Sequence, residues 1–277
     1  MRTTAIVSAS LLAISQCLPA HAQQNVDMIS GPMDFTAWTL FGSASAQNLT
    51  PGNGFTYSLL HLTQPFSGDQ AGAAFAPTAL ALDFNQAFQF DWVWSVPAVE
   101  GLRGDGYTFT LSSTPSLGLG GSSLGYEGGA FGASVAFAVD TFHFDGEPVS
   151  PSVQILADGN ITPLAATETG LGDAIRDTNY AWFGRLRYTP SGLDDHTGTL
   201  TGRIEHLNLG SFEVQAGVDF GALGLAGQPV FYGFTAANGA ATDGHTIQWG
   251  AAVPVPEPGS WVLMLAGLAL VPLIKRL

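Results

Sequence analysis

Cysteine is almost missing from this chain: Cys17 is the only one. A fold built without it relies on no disulfide, and its chemistry on no thiol. Lysine is absent between residues 23 and 252, where the only cations are Arg103, Arg176, Arg185, Arg187 and Arg203. Acids are spread along the same stretch, and the whole chain carries a formal charge of -14. Nucleic acid is thereby excluded as a partner, because affinity for it comes mainly from neutralising phosphates with Lys and Arg. Charged residues make up 11% of the chain, against about 25% in ordinary soluble domains. Polarity therefore falls to Ser, Thr, Asn, Gln and the backbone. The body also lacks a helical period of useful length, an internal repeat and a charge block. The Gly-rich run at Gly118 has no lysine after it, so no phosphate-binding loop is formed. His61, His143, His196, His206 and His245 are scattered without metal-ligand spacing, and Asp194-Asp195-His196 reads as a solvated loop.

Long apolar runs are confined to the two ends. Met1-Arg2 opens a short positive region, Ala5 to Leu18 is mostly apolar, and Ala20-His21-Ala22 offers small residues where a signal peptidase reads. Residues 1–22 are thus expected to be a signal peptide, with the mature chain starting at Gln23. Gln16 stands directly before Cys17, where a lipoprotein signal would have a small residue, which argues against a lipid anchor. At the other end, Pro254, Pro256 and Pro258 keep the chain extended. An apolar stretch from Trp261 to Ile274 and a final Lys275-Arg276 follow. That stretch is short for a single span, which usually needs about 20 residues, and the basic end would stay cytoplasmic. The tail, residues 253–277, resembles the PEP-CTERM sorting signal of Gram-negative bacteria through Pro256-Glu257-Pro258, the hydrophobic helix and the basic cluster. The resemblance implies export, transient membrane insertion, processing by an exosortase, and delivery to the cell envelope or extracellular matrix. An ordinary C-terminal membrane anchor is the alternative.

Between these ends, residues 23–252 read as one all-β domain, a size two-sheet sandwiches commonly reach. Alternation at Tyr107–Leu111, Ser152–Leu156, Phe183–Tyr188, Thr199–Ile204 and Phe212–Ala216 predicts strands that bury one face and wet the other. Val135–Val139 and Val230–Phe234 are apolar on both faces and read as central strands. Turn signals separate them at Gly101–Gly106, Gly118–Gly121, Asp158-Gly159-Asn160, Pro190-Ser191-Gly192 and Asn238-Gly239.

The order of four local motifs narrows the fold. Gly104-Asp105-Gly106 opens a strand; a Gly-rich loop runs through Gly120-Gly121-Ser122-Ser123; Val135 to Phe142 follows with Asp140; and Val230 to Gly239 comes late, with His245 behind it. Gln70 to Phe75 resembles the segment before the first core strands. This succession resembles the L-type lectins over about residues 30 to 250. It implies a concanavalin-like two-sheet jelly-roll sandwich holding sugar on loops at one sheet edge. On that resemblance Asp105 accepts hydrogen bonds from two sugar hydroxyls, a task that suits an ionised acceptor. Gly121, with Ser122, presents a backbone N–H; Asn238 and Gly239 lie in the final loop that selects the sugar. A plain turn aspartate and a plain Asn-Gly turn are the bland alternatives. Phe144, Tyr126 and Trp182 are candidates for stacking on a sugar face.

The resemblance also implies calcium, held by Asp140, the Phe142 carbonyl and an asparagine. Phe144 occupies the asparagine's position, so calcium is expected only if Asp145 or Glu147 takes over. Asp173 or Asp177 matches the further acid used by animal and bacterial members. No transition metal is expected, since its positions are held by Ala138 and Ser152. The related glucanases carry Glu-x-Asp-x-x-Glu on one strand, and no such pattern occurs. The expectation is accordingly an exported protein that binds a glycan or exopolysaccharide and is not an enzyme. The alternative is a structural matrix or adhesion protein on a degenerate lectin fold, and a glycoside hydrolase is the third reading.

Overall fold

A computed structural model describes residues 34–50, 56–97, 99–192 and 195–252, without the side chains of 249–252. The expected signal peptide and sorting tail lie outside the described residues. Among those described there are fourteen strands: β1 (Thr39–Gly42), β2 (Ser45–Leu49), β3 (Tyr57–His61), β4 (Gln70–Phe75), β5 (Phe88–Ser95), β6 (Gly106–Ser112), β7 (Ser134–Asp140), β8 (Ser152–Ala157), β9 (Asn160–Glu168), β10 (Trp182–Pro190), β11 (Thr197–His206), β12 (Gly210–Asp219), β13 (Phe231–Asn238) and β14 (Thr246–Ala252). Only three short 3-10 helices accompany them, at Phe35–Ala37, Gly121–Ser123 and Gly172–Arg176. The strands form two seven-stranded antiparallel sheets, β1-β4-β13-β6-β7-β8-β9 and β12-β11-β10-β5-β14-β3-β2. This is the expected all-β, two-sheet jelly-roll sandwich.

The sandwich closes on aromatic side chains. Along β5, Phe88, Phe90, Trp92 and Trp94 are buried at every second position, the period a half-buried strand dictates. Trp92 stacks on Phe109 of β6 with ring centroids 4.8 Å apart and donates from Nε1 to the Tyr107 hydroxyl at 3.0 Å. Each such ring contributes roughly 2–3 kcal/mol by burial. Two strand glycines make this packing geometrically possible. A Cβ on Gly184 would stand 2.2 Å from the Trp92 ring, and one on Gly202 only 2.0 Å from Phe137 Cδ2. Glycine inside a strand pattern often marks such a close approach. Gly202→Ala is expected to lose about 2–3 kcal/mol by overpacking, read by urea unfolding; a loss below about 0.5 kcal/mol would show that the sheets separate freely there.

Two expectations require correction. β6 and β8 do not wet one face, since every residue of β6 is buried and only the last of β8 is not. The segment 113–133 folds back over the first sheet and places Leu124, Tyr126 and Phe131 on Phe75, Ala136, Ala138 and Leu156 as a second small core. The polar side of β6 survives beneath it as a hydroxyl ladder. Thr108 bonds Thr110 at 2.7 Å and Thr235 at 2.8 Å, and Thr235 donates to the Leu124 carbonyl at 2.8 Å. The alternation was real, and a loop covers the face it marked. Asn238-Gly239 is no hairpin turn either, because β13 and β14 belong to different sheets. Residues 239–245 cross between them. Asp158-Gly159 does make the expected tight turn, with φ of 53° and 65° joining β8 to β9.

Candidate carbohydrate-binding site

Antiparallel pairing of β6 with β7 sets Gly106 opposite Asp140, so residues 105 and 140, distant in sequence, sit at one end of neighbouring strands. Asp105 follows a cis peptide bond from Gly104. Its backbone is fixed from both sides, with its N–H donating to the Ala237 carbonyl at 3.1 Å and its carbonyl accepting from Thr141 N–H at 2.7 Å. The side chain is held less completely, by the Gly239 backbone N–H alone. Asp105 is 5% exposed, and its Oδ2 has no hydrogen-bond partner.

Two glycines flank that oxygen. A Cβ on Gly239 would lie 3.4 Å from Asp105 Oδ2 and one on Gly121 3.9 Å from it, and the Gly239 position is 3.6 Å from the Gly121 Cα. Gly121 has φ of +64°, a conformation glycine adopts without cost. Three loops thus converge: the one before β6, the 3-10 turn Gly121–Ser123 with Ser122, and the crossover after β13. Burial pushes the Asp105 carboxyl up to about 6; Glu147 and Asp243 push the same way, while the Gly239 backbone N–H opposes. An ordinary turn aspartate would be solvated or capped. This one is buried against the glycine backbones of two flanking loops.

The remaining sequence candidates divide. Asn238 is fully buried and braces the crossover: Oδ1 accepts from Gln70 N–H at 2.9 Å, and Nδ2 donates to the carbonyls of Ser67 at 2.8 Å and Asp243 at 3.1 Å. Its side chain is engaged in positioning Gly239. Tyr126 and Trp182 are core residues, 0% and 1% exposed, and cannot stack on a sugar. Phe144 remains for that role at 59% exposure, with Leu102 and Leu119 similarly exposed on the neighbouring loops. Gly121-Ser122-Ser123-Leu124-Gly125 also has the Gly-x-Ser-x-Gly spacing of a nucleophile elbow. Ser123 Oγ instead donates to Glu127 Oε2 at 2.8 Å, without the histidine such chemistry requires.

Most of the oxygens expected to hold calcium already accept hydrogen bonds. Asp140 Oδ1 accepts from Phe142 N–H and Oδ2 from Gln154 Nε2, both at 3.0 Å. The Phe142 carbonyl accepts from Ser150 Oγ at 3.0 Å, and Glu147 Oε2 from Phe144 N–H at 2.9 Å. Burial pushes Asp140 up to about 7, assisted by the Glu147 charge. Asp173 points into solvent and pairs with Arg103 at 2.7 Å. No group of three or more acidic, His or Cys side chains poised for a metal occurs among the described residues. Calcium needs six to eight oxygens, and of the expected set Asp140, the Phe142 carbonyl, Glu147 and Asp173 each already take a donor from the chain itself.

Sequence reasoning missed Arg103, Arg176, Asp243 and His245. The rarity of cations in the body was the available signal for the first two, since each isolated arginine in an acidic chain invites a search for its acid. His245 is wholly buried beside Trp94, with ring centroids 6.0 Å apart. Neither ring nitrogen makes a hydrogen bond of normal geometry. Burial pushes it down to about 4, against a weak opposing pull from the Gly104 backbone. Above pH 6.5 the imidazole is neutral folded and unfolded; below it the unfolded chain gains a proton that the folded one refuses. Its contribution is therefore lost as pH falls from 6.5 toward 4. His245→Phe should narrow its stability difference from wild type by about 2–3 kcal/mol between pH 7.5 and 4.5. Taking the difference cancels the acids common to both proteins, and a pH-independent difference in urea unfolding would refute the assignment.

A separate concavity of about 290 Å³ lies over the second sheet, lined by Gln89, Arg185, Arg187, Thr201, Arg203 and Gln215 among others. It contains none of the residues around Asp105.

The architecture has solved counterparts. Lectin I-B4 of Griffonia simplicifolia, in a metal-free form, superposes with a TM-score of 0.62 at 16% identity, covering 80% of this chain and 94% of that one. The fold is that of the legume lectins. A Bauhinia forficata lectin in complex with GalNAc matches at a TM-score of 0.59 and 17% identity over 79% of this chain and all of its own, 100%. The exoplasmic/lumenal domain of VIP36, bound to Ca2+ and Man3GlcNAc, matches at 0.55 and 17% over 79% of this chain and 84% of that one. No protein-family profile matches the chain, and no curated protein sequence does. At these identities the likeness to the lectins concerns the fold alone.

Proposed function

We propose that this chain is an exported carbohydrate-binding protein whose sugar site is the gap between Asp105, Gly121 with Ser122, and Gly239. The observation that carries the reading is the buried Asp105 Oδ2, left without a partner between two glycine backbones. A buried acceptor in that state costs free energy until a donor reaches it. A pair of sugar hydroxyls supplies such donors, and the glycines let the ring approach the backbone. Phe144 offers an exposed apolar face for stacking. The acidity of the chain favours a neutral glycan over a polyanionic one.

Export rests on the sequence of the two ends. Residues 1–22 serve as the signal peptide, and residues 253–277 as a sorting signal cut by an exosortase, which would deliver the protein to the envelope or exopolysaccharide of a Gram-negative cell. Among the described residues no helix is long and apolar enough to cross a membrane, and the apolar tail lies outside them. The test of function is a glycan array with residues 23–252, followed by retention on the hit immobilised as a polysaccharide. Saturable binding to a neutral glycan is expected. A blank array, or a hit on which the protein is not retained, would favour the matrix or adhesion protein without sugar binding.

A further inference from the structure

We infer that a two-arginine clamp, in place of a divalent cation, fixes the loop that carries Asp105. Arg103 immediately precedes Gly104-Asp105. Its Nε donates to the Thr141 carbonyl and its Nη1 to Asp173 Oδ1 at 2.7 Å. One guanidinium thus joins the segment between Asp140 and Phe142 to the later acid, the two pieces of chain that a calcium ion was expected to bridge. The reciprocal contact comes from the same 3-10 helix, Gly172–Arg176. Arg176 is 6% exposed; Nη2 donates to Asp243 Oδ1 at 2.7 Å, and the Glu100 and Gly101 carbonyls accept from Nη2 and Nη1 at 3.3 and 3.2 Å. Asp243 Oδ2 then accepts from Gly104 N–H at 3.2 Å.

The loop 100–105 is consequently held from both sides. Arg103 reaches outward to Asp173, and Arg176 reaches back from the same helix to Glu100, Gly101 and Asp243. A guanidinium is always charged and presents its donors in a rigid fork, so it can fill a bridging position permanently where an ion binds reversibly. Oxygens of Asp140, Phe142 and Glu147, all expected calcium ligands, meanwhile accept from N–H and O–H donors of the chain itself. The consequence for binding rests on the sugar site proposed above; the consequence for the loop does not.

The experiment compares the wild type with Arg103→Gln, Arg103→Lys and Asp173→Asn, each in EDTA and in calcium chloride. Melting temperature, amide hydrogen exchange at Asp105 and Thr141, and retention on the array-identified glycan are read together. The wild type should melt and bind alike with chelator and with calcium. Arg103→Gln should speed exchange at both amides and weaken retention about tenfold, the scale of one charge-assisted bond. Arg103→Lys, keeping the charge but lacking the fork, should fall between. Asp173→Asn, which loses only the exposed arm, should stay nearer the wild type. If Arg103→Gln does not fold, the ordering of the other two decides. A wild type that loses stability or binding in EDTA overturns the clamp, as does an Arg103→Gln that matches the wild type in exchange. A wild type that binds no glycan while exchange follows the stated order would sink the sugar reading and leave the clamp standing.

Discussion

Asp105→Asn should lower glycan affinity about 100-fold and raise, or at least preserve, the melting temperature at pH 8. The affinity term is the loss of two charge-assisted hydrogen bonds, each worth about 1.5 kcal/mol or more. The stability term has the opposite sign. Folding lifts the Asp105 carboxyl to about 6 from an ordinary value near 3.9, so the folded site prefers the protonated acid. Its contribution is favourable at low pH and is lost as pH climbs through 6, above which the buried charge costs on the order of 1–3 kcal/mol. Asparagine keeps the shape and drops that cost. Wild-type binding should itself weaken as pH falls below about 6, when the acceptor gains its proton. Calorimetric titration with the array hit and thermal melting of both proteins check the pair of signs. A variant that loses affinity and stability in step would make Asp105 a structural residue.

Asp243→Ala should be the most damaging single change to the fold around the site, at about 3–5 kcal/mol. The Arg176–Asp243 pair is nearly dry, with side chains 5% and 1% exposed. Burial pushes the Asp243 carboxyl up even though the Gly104 N–H and Arg176 pull it down, which marks how little solvent reaches it. Removing the acid leaves a buried guanidinium uncompensated, the case in which breaking a pair is strongly destabilising. It also strips Gly104 N–H of its acceptor. The exposed Arg103–Asp173 pair is the internal control, since a pair with one partner 81% exposed is worth at most about 1 kcal/mol to stability. Urea unfolding of Asp243→Ala and Asp173→Ala gives the comparison. Equal losses would mean that burial does not govern these pairs.

What the chain revealed beforehand and what it hid have separate physical origins. Strand positions follow from alternation, a local property, and β10, β11 and β12 lie where the side-chain period put them. Exposure is not local. Nothing in Thr108 and Thr110 signals that residues 113–133 will return to cover them. Asp105, Gly121 and Gly239 stand out only through the resemblance of the ordered motifs to the L-type lectins, since an acid between glycines or a Gly-rich loop is alone a plain turn signal. Asn238 shares the motif but turns its amide inward to brace the crossover, a choice made by the tertiary surroundings of Ser67 and Gln70. The calcium expectation came from Asp140 and its neighbours. It could not anticipate that Arg103, assigned no role by the motif, would span the same segments.

The central claim is most directly tested by amide chemical-shift mapping of the folded body in EDTA while the array-identified glycan is added. The account predicts saturable shifts confined to Asp105, Gly121, Ser122 and Gly239, with the arginine-lined face of β10–β12 silent. Shifts at Arg185, Arg187 and Arg203 with none around Asp105 would contradict it.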